Sequence, residues 1–342
     1  ADQERLRKQH ENQRARKLLS IHQAREQRQT LAFGKDQIAV PAFLGRKVLA
    51  DVPLADLVPY IDWRFFFSAW ELKGDVPAIF DDPAQGQTAR ELYDRAEELL
   101  KLVSRDRSIK ARGVYGFWPA VADGDDVVLY EDTSLAREVA RFPMLRQQLD
   151  RGAGEHTTSL ADFVAPCESG VVDYVGAFAV TGGIGAEELA KHFERDHDDY
   201  SAIIVKALAD RFAEAFAELL HERARRELGY GEREKLSQAE LVAEKYRGIR
   251  PAFGYPACPD HTEKRTLFAL LGAEEVGIGL TEHMAMTPAA SVSGLYFAHP
   301  GSHYFNVSSV ARDQVEDYAR RKGMSVAEVE RWLLPNLAYD PD

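Results

Sequence analysis

Gly113-Val-Tyr-Gly-Phe-Trp-Pro119, followed across the turn Ala122-Asp-Gly-Asp125 by Asp126-Val-Val-Leu-Tyr130, is the stretch on which the fold is decided. Both arms are dense in β-branched and aromatic residues, which suit a pleated surface, and Asp-Gly-Asp is turn chemistry. The spacing predicts two strands flanking a turn. Helical patterns lie elsewhere, over Leu54–Tyr60, Thr88–Ser104 and Asp198–Leu228. Strands and helices without a regular βαβ alternation predict an α+β fold rather than a doubly wound sheet.

The longest helical pattern is amphipathic. Ile204, Leu208, Phe212, Phe216 and Leu220 recur four apart and form one apolar stripe, the pattern of a helix docked on a core. Asp210, Glu214, Glu218 and His221 follow at spacings of four, four and three, so they share another side of the same helix. Glu218 and His221 read as a solvated face.

Composition narrows the function classes. A net charge of -12 argues against a general nucleic-acid binder, which needs a basic surface to neutralise phosphates, and 45% hydrophobic residues in 342 are enough for a sizeable core. No apolar run approaches the roughly 18 residues of a membrane span. Two cysteines, Cys167 and Cys258, build no disulfide framework and point to a reducing, cytoplasmic setting. Residues 1–32 are rich in Gln, Arg, Lys and Glu and predict a charged helical linker arm; with Ala1 opening a charged stretch, the chain reads as a piece of a longer polypeptide.

Arg250-Pro-Ala-Phe-Gly-Tyr-Pro-Ala-Cys-Pro-Asp-His-Thr-Glu-Lys264 is the strongest candidate for a binding segment. Its prolines forbid regular helix and fix an extended path; Arg250 offers a planar fork for a carboxylate, Gly254 permits close approach to the main chain, and Tyr255 supplies a rigid face with a polar tip. Within it Cys258 reads as packing, because neighbours on an extended segment point apart, and Asp260 reads as the cap of a helix entry. Ser325 opens the final helix in the same manner. Two rival chemistries are weaker. Phe178-Ala-Val-Thr-Gly-Gly-Ile-Gly185 has glycines suited to a nucleotide turn, yet the βαβ period is missing, so Gly182, Gly183 and Gly185 read as turn residues. His192, Glu194, Asp196, His197 and Asp198, with Asp260 and His261 elsewhere, lack HExxH or paired-cysteine spacing and read as helix-end charges rather than metal ligands.

The Arg250–Lys264 segment and the Tyr246-Arg-Gly-Ile-Arg-Pro-Ala252 run overlapping its start resemble the S-adenosylmethionine-binding motif of the C-terminal activation domain of cobalamin-dependent methionine synthase. Ile61-Asp62-Trp63, Phe178–Gly183, His197-Asp-Asp-Tyr200, Val205–Arg211 and Asp313–Gly323 are similar to that family in the same order. The resemblance implies a single C-shaped α+β domain of long helices with an antiparallel sheet over residues 33–342, preceded by the arm. It implies S-adenosylmethionine held by Arg250 at the carboxylate, Asp62 at the amino end, Ala252 and nearby backbone at the adenine or ribose, and Tyr255 along the approach to the methyl group, with Tyr304 and Phe305 as further contacts. Asp210 and Glu214 would face a cobalamin domain of the same polypeptide. The implied role is reductive methylation of cob(II)alamin to methylcobalamin, with the electron from flavodoxin or a flavoprotein reductase. A free-standing S-adenosylmethionine-dependent methyltransferase and a non-catalytic binding module are the alternatives. No acid–base dyad is needed for the first role, so no catalytic residue is named.

Overall fold

The computed structural model describes residues 17–152, 154–232, 234–237, 240–241 and 243–341. Its centre is an antiparallel sheet built from β1 (Gly45–Val52), β2 (Lys110–Asp123), β3 (Asp126–Tyr130), β4 (Glu138–Pro143), β5 (Asp173–Ile184) and, after the small ribbon β6 (Gly279–Leu280) with β7 (Met286–Thr287), β8 (Ser291–Phe297). The order is β4-β3-β2-β5-β8. Gly113–Pro119 and Asp126–Tyr130 form the tight β2–β3 hairpin, Asp123 opposite Asp126. β2 is long enough to pair β1 along its first half and β3 along its second, both on the side away from β5.

Both faces of the central strands are covered. Tyr115, Phe117, Phe178, Val180 and Tyr296 point into one core and Val114, Trp118, Val175, Ala177, Leu295 and Phe297 into the other. This is why β2 and β5 read as nearly continuous apolar runs instead of alternating ones. The helices are α1 (Ile21–Glu26), α2 (Leu54–Leu57), α3 (Trp63–Ser68), α4 (Gly86–Asp106), α5 (Ala186–Arg195), α6 (Asp199–Glu227), α7 (Lys264–Leu271), α8 (Arg312–Lys322) and α9 (Val326–Leu333). The mixture of helices with one main antiparallel sheet is the α+β architecture expected. The Leu54–Tyr60 pattern divides into α2 and a 3-10 turn, since Pro59 lacks the N–H that a continuing helix needs.

The 29-residue α6 is the backbone of the first core. Its stripe, Ile204, Leu208, Phe212, Phe216 and Leu220, is completely buried, each side chain contributing roughly 1.5–3 kcal/mol of burial free energy. Gly182 and Gly183 lie within β5, not in a turn. A Cβ on Gly182 would stand 2.5 Å from Phe212 Cβ and 2.7 Å from Ala213 N, so the glycine exists to let α6 lie directly on the strand. Gly185 is the turn residue of the three, with φ +88° at the N-cap of α5.

The described part of the arm expected over residues 1–32 is largely exposed but is tied to the body at several points. Leu19 and Gln148 exchange backbone and side-chain hydrogen bonds, Ile21 N donates to Asp313 Oδ2 at 2.7 Å, Thr157 Oγ1 donates to Ala24 O at 2.5 Å, and Ala24 is fully buried. Arg25 has specific partners in the body: its Nε reaches Asp125 at 2.7 Å and its Nη2 reaches Asp317 at 2.6 Å. Residues 1–16 of the expected arm lie outside the described residues.

Candidate functional site

The Arg250–Lys264 rail is fastened to the sheet edge by its own main chain. Ile249 and Phe297 exchange two N–H···O bonds of 3.0 Å, and Leu295 N donates to Pro251 O at 3.0 Å, so the rail begins as a short partner of β8. Gly294 permits this approach: a Cβ there would sit 2.5 Å from Pro251 O. Further on, Gly254 adopts φ +96°, and any Cβ would collide with the His261 ring at 2.1 Å. Gly254 N donates to Cys258 O and Cys258 N to Tyr255 O, closing a turn that leaves Tyr255 64% exposed at its tip. Cys258 packs inside, its thiol donating to Ala252 O at 3.0 Å, and burial pushes that thiol up.

The segment Tyr304–Val307 is drawn across the rail by two bonds. Arg250 N donates to Tyr304 Oη at 3.0 Å, and Val307 N donates to Pro256 O at 2.9 Å. Between rail, crossing segment and α6 lies a cleft of about 320 Å³, lined by Phe178, Glu214, Glu244, Arg250, Pro251, Ala252, Tyr255, Pro256, Ala257, Val292, Tyr304 and Phe305. The fold therefore brings Arg250, Ala252, Tyr255, Tyr304, Phe305 and Glu214 together.

Asp62 and Asp210 are not in that lining. Asp62 caps α3, accepting from Arg64 N and Nε at 3.0 Å and from Nη2 at 2.5 Å. Burial would raise its carboxyl, but these bonds and the Arg64 charge, with Arg211 of α6 adding to them, hold it below the ordinary range. Asp210 is exposed on α6, one turn before Glu214; partial burial raises its carboxyl, Arg211 opposes this and Glu214 reinforces it.

Glu218 and His221 correct the sequence reading: they are not a solvated face. Glu218 forms an ion pair with Arg250 Nη2, and His221 is 2% exposed, stacked on Tyr296 with ring centroids 5.3 Å apart and edge-on to Tyr246 at 4.7 Å. The helix dips under the rail here, so the same side that meets solvent at Asp210 is covered three turns on. Burial drives the His221 imidazole well below its usual value, and Arg250 and Arg225 push it the same way. Burial also raises the Glu218 carboxyl, outweighing the attraction of Arg250. The Arg250 guanidinium, which burial would weaken, is held charged by Glu218 and the surrounding tyrosines.

Glu244, Phe178 and Val292 belong to the cleft without having been singled out for it. Phe178 opens a segment similar to the family but one that stands out for its glycines, Val292 shows only a strand pattern, and Glu244 is an exposed acid in a turn, with φ +53°.

Chemically the cleft offers one guanidinium, two rim carboxylates, two phenols and an apolar floor. That set suits a small ligand carrying both an anionic and a cationic group on an aromatic or apolar body, in a volume ordinary for small-molecule sites. No group of three or more His, Cys, Asp or Glu side chains among the described residues is arranged to hold a metal ion.

Residues 53–323 match the family described as "Vitamin B12 dependent methionine synthase, activation domain". Among solved structures, a MetH reactivation domain crystallised with AdoHcy superposes with a TM-score of 0.90 at 49% sequence identity, covering 94% of this chain and 99% of that one.

Proposed function

We infer the role of this chain from the family to which it belongs, the activation domains of vitamin B12 dependent methionine synthase, together with the cleft that its own residues build. It is the S-adenosylmethionine-binding reactivation module of that methyltransferase, supporting reductive methylation of cobalamin. The observation that carries the site assignment is the convergence of Arg250, Ala252, Tyr255, Tyr304 and Phe305 on one cleft.

The residues present fit the ligand. Arg250 Nε and Glu218 Oε2 are buried without a hydrogen-bond partner, so the layer under the cleft retains polar capacity. Arg250 would hold the carboxylate; Tyr255, Tyr304 and Phe305 would enclose the adenosyl body against Phe178 and Val292; Ala252 and the rail backbone would meet the adenine or ribose. Glu214 and Glu244 give the rim a negative character that favours the sulfonium and ammonium charges over a neutral ligand. Bound S-adenosylmethionine supplies a transferable sulfonium methyl, and cobalamin, carried by a neighbouring domain of the full enzyme, is its acceptor. The chain's own contribution is to bind and orient, which needs no general base.

Asp62 at the amino end, and Asp210 with Glu214 facing the cobalamin domain, complete the proposed assignment. Asp62 is linked to the helix that lines the cleft through Arg211, whose charge acts on it. Flavodoxin or a flavoprotein reductase is the proposed electron donor, and the chain alone is not expected to make methionine. A cytoplasmic setting fits the two free thiols, and no helix among the described residues is long and apolar enough to cross a membrane.

Calorimetric titration with S-adenosylmethionine and AdoHcy tests this reading, alongside an assay for methyl transfer to homocysteine. Saturable binding without methionine formation is the expected outcome. Absence of binding by the folded chain, or turnover without a cobalamin domain, would overturn it.

A further inference from the structure

The cleft rests on a second layer of polar side chains that ligand contacts alone do not explain. One turn of α6 beyond Glu214, Glu218 passes under Arg250; His221 follows, and then Arg225, whose guanidinium lies 4.6 Å from the Tyr246 ring centre. Glu218 Oε2, His221 Nδ1, Arg225 Nη1, Arg250 Nε and Tyr296 Oη are all buried without a hydrogen-bond partner. They share one environment, since Arg250 and Arg225 act electrostatically on Glu218, His221 and Tyr296 alike. Five such groups in one layer leave polar capacity beneath the cleft that no other protein group takes up.

Arg250 is held at both ends within this layer. Its main-chain N–H is fixed by Tyr304 Oη, and its far end by Glu218 through Nη2, while the side chain stays 16% exposed at the cleft wall. One turn on from Glu218, His221 stacks in parallel on Tyr296, with only 3° between ring planes, and the Glu218 charge acts on that tyrosine. We propose that Glu218 is a positioning residue: it fixes the plane of the Arg250 guanidinium, so that the N–H groups it leaves unused meet a ligand carboxylate already oriented, and the His221–Tyr296 stack backs it. This rests on the reading of the cleft as the S-adenosylmethionine site. A guanidinium fixed before binding loses less side-chain freedom when the ligand arrives, and that saving appears as affinity. The uncharged state of the buried imidazole agrees with this, since it adds no third cation to draw Glu218 away from Arg250.

The test is ligand dissection on the intact chain. AdoHcy and its decarboxylated analogue are titrated into wild type, Glu218→Gln, Arg250→Ala and the double variant, with thermal unfolding recorded for each. Glu218→Gln is expected to weaken AdoHcy about tenfold, the size of a typical coupling between contacting residues, while leaving the decarboxylated analogue nearly unchanged. In the Arg250→Ala background the same substitution should add nothing. Glu218→Asp, which keeps the charge but withdraws it by one methylene, should show the same carboxylate-selective loss and covers the case in which the Gln variant does not fold. Equal losses for both ligands, additive losses in the double variant, or unchanged AdoHcy affinity in a folded variant would overturn the proposal. If wild type binds AdoHcy and Arg250→Ala weakens it, the reading of the cleft survives that result; if wild type does not bind AdoHcy, both fall.

Discussion

Two arginines, Arg146 buried and Arg250 partly so, divide this molecule into a region built for stability and one proposed for binding. Arg146, 1% exposed, directs all five of its guanidinium N–H groups to acceptors: Asp125 Oδ1 from Nε and Nη2, both Asp162 oxygens, and Thr157 O. Around it Arg25, Asp317, Gln148 and Gln314 continue the network, tying the N-terminal strap to the β2–β3 turn, the segment after β4 and α8. Arg250 uses a single guanidinium N–H, on Glu218, and sits in a layer with five polar atoms left over. A saturated buried network resists change, and an unsaturated one retains capacity for a partner that comes and goes.

The strongest way to break the comparison is at Arg146. Arg146→Ala takes the cation from buried Asp162 and leaves buried Asp125 with Arg25 alone, and the expected destabilisation is about 3–5 kcal/mol, read from urea unfolding. Asp125 shows the dependence from the other side: burial alone would raise its carboxyl, yet Arg146 and Arg25 hold it below the ordinary range. Its stabilising contribution is therefore present above the unfolded carboxyl pKa and lost as pH falls through the lowered folded value.

At Arg250 the expected pattern reverses. Arg250→Ala should weaken AdoHcy by about 1.5–3 kcal/mol in calorimetry, the range for hydrogen bonds to charged groups, with a smaller effect on stability than at Arg146. The reason is that Glu218, with its side chain 24% exposed, can be protonated or hydrated when its partner goes. A larger stability loss here than at Arg146 would erase the distinction between the two regions.

Glu263 sharpens it. This carboxyl bonds Lys322 through one oxygen while the other has no partner, and burial lifts it from 4.5 to about 7 against the pull of Lys322. A carboxyl raised on folding stabilises the protein fully below its unfolded value and loses that contribution as pH rises through the folded one. The contribution of Glu263 to stability should therefore fall between pH 4.5 and 7, by an amount on the order of 3 kcal/mol, and Glu263→Gln should remove that part of the pH dependence. Urea midpoints across the range measure it.

Asp62→Asn is the smallest perturbation. Asn still caps α3, and Arg64 is substantially exposed, so stability should change by no more than about 0.5 kcal/mol. Binding of S-adenosylmethionine should weaken while an analogue lacking the amino group binds as before; equal responses would remove Asp62 from the amino end.

Local patterns made much of this visible in advance. The β2–β3 hairpin, the α6 stripe, the cap at Asp260 and the rail with its obligatory Gly254 each follow from residue types at short spacing, where propensity and turn chemistry act directly. Arg250 and Tyr255 stand out for the same reason, lying five residues apart on one proline-fixed segment. Gly182 misled because a glycine in a turn and a glycine under a crossing helix look identical until the helix is placed.

By itself, the sequence determined the α+β class, the extended rail and the amphipathic character of α6, because these depend on contacts within a few residues. It also carried the family motifs. Only the tertiary structure decided that the arm straps onto Asp125 and Asp317, that Glu244, Phe178 and Val292 join the cleft, and that one side of α6 passes from solvent at Asp210 to full burial at His221. Those outcomes depend on which distant segments cross a given helix turn, and a side chain's environment there is set by long-range packing that spacing along the chain does not encode.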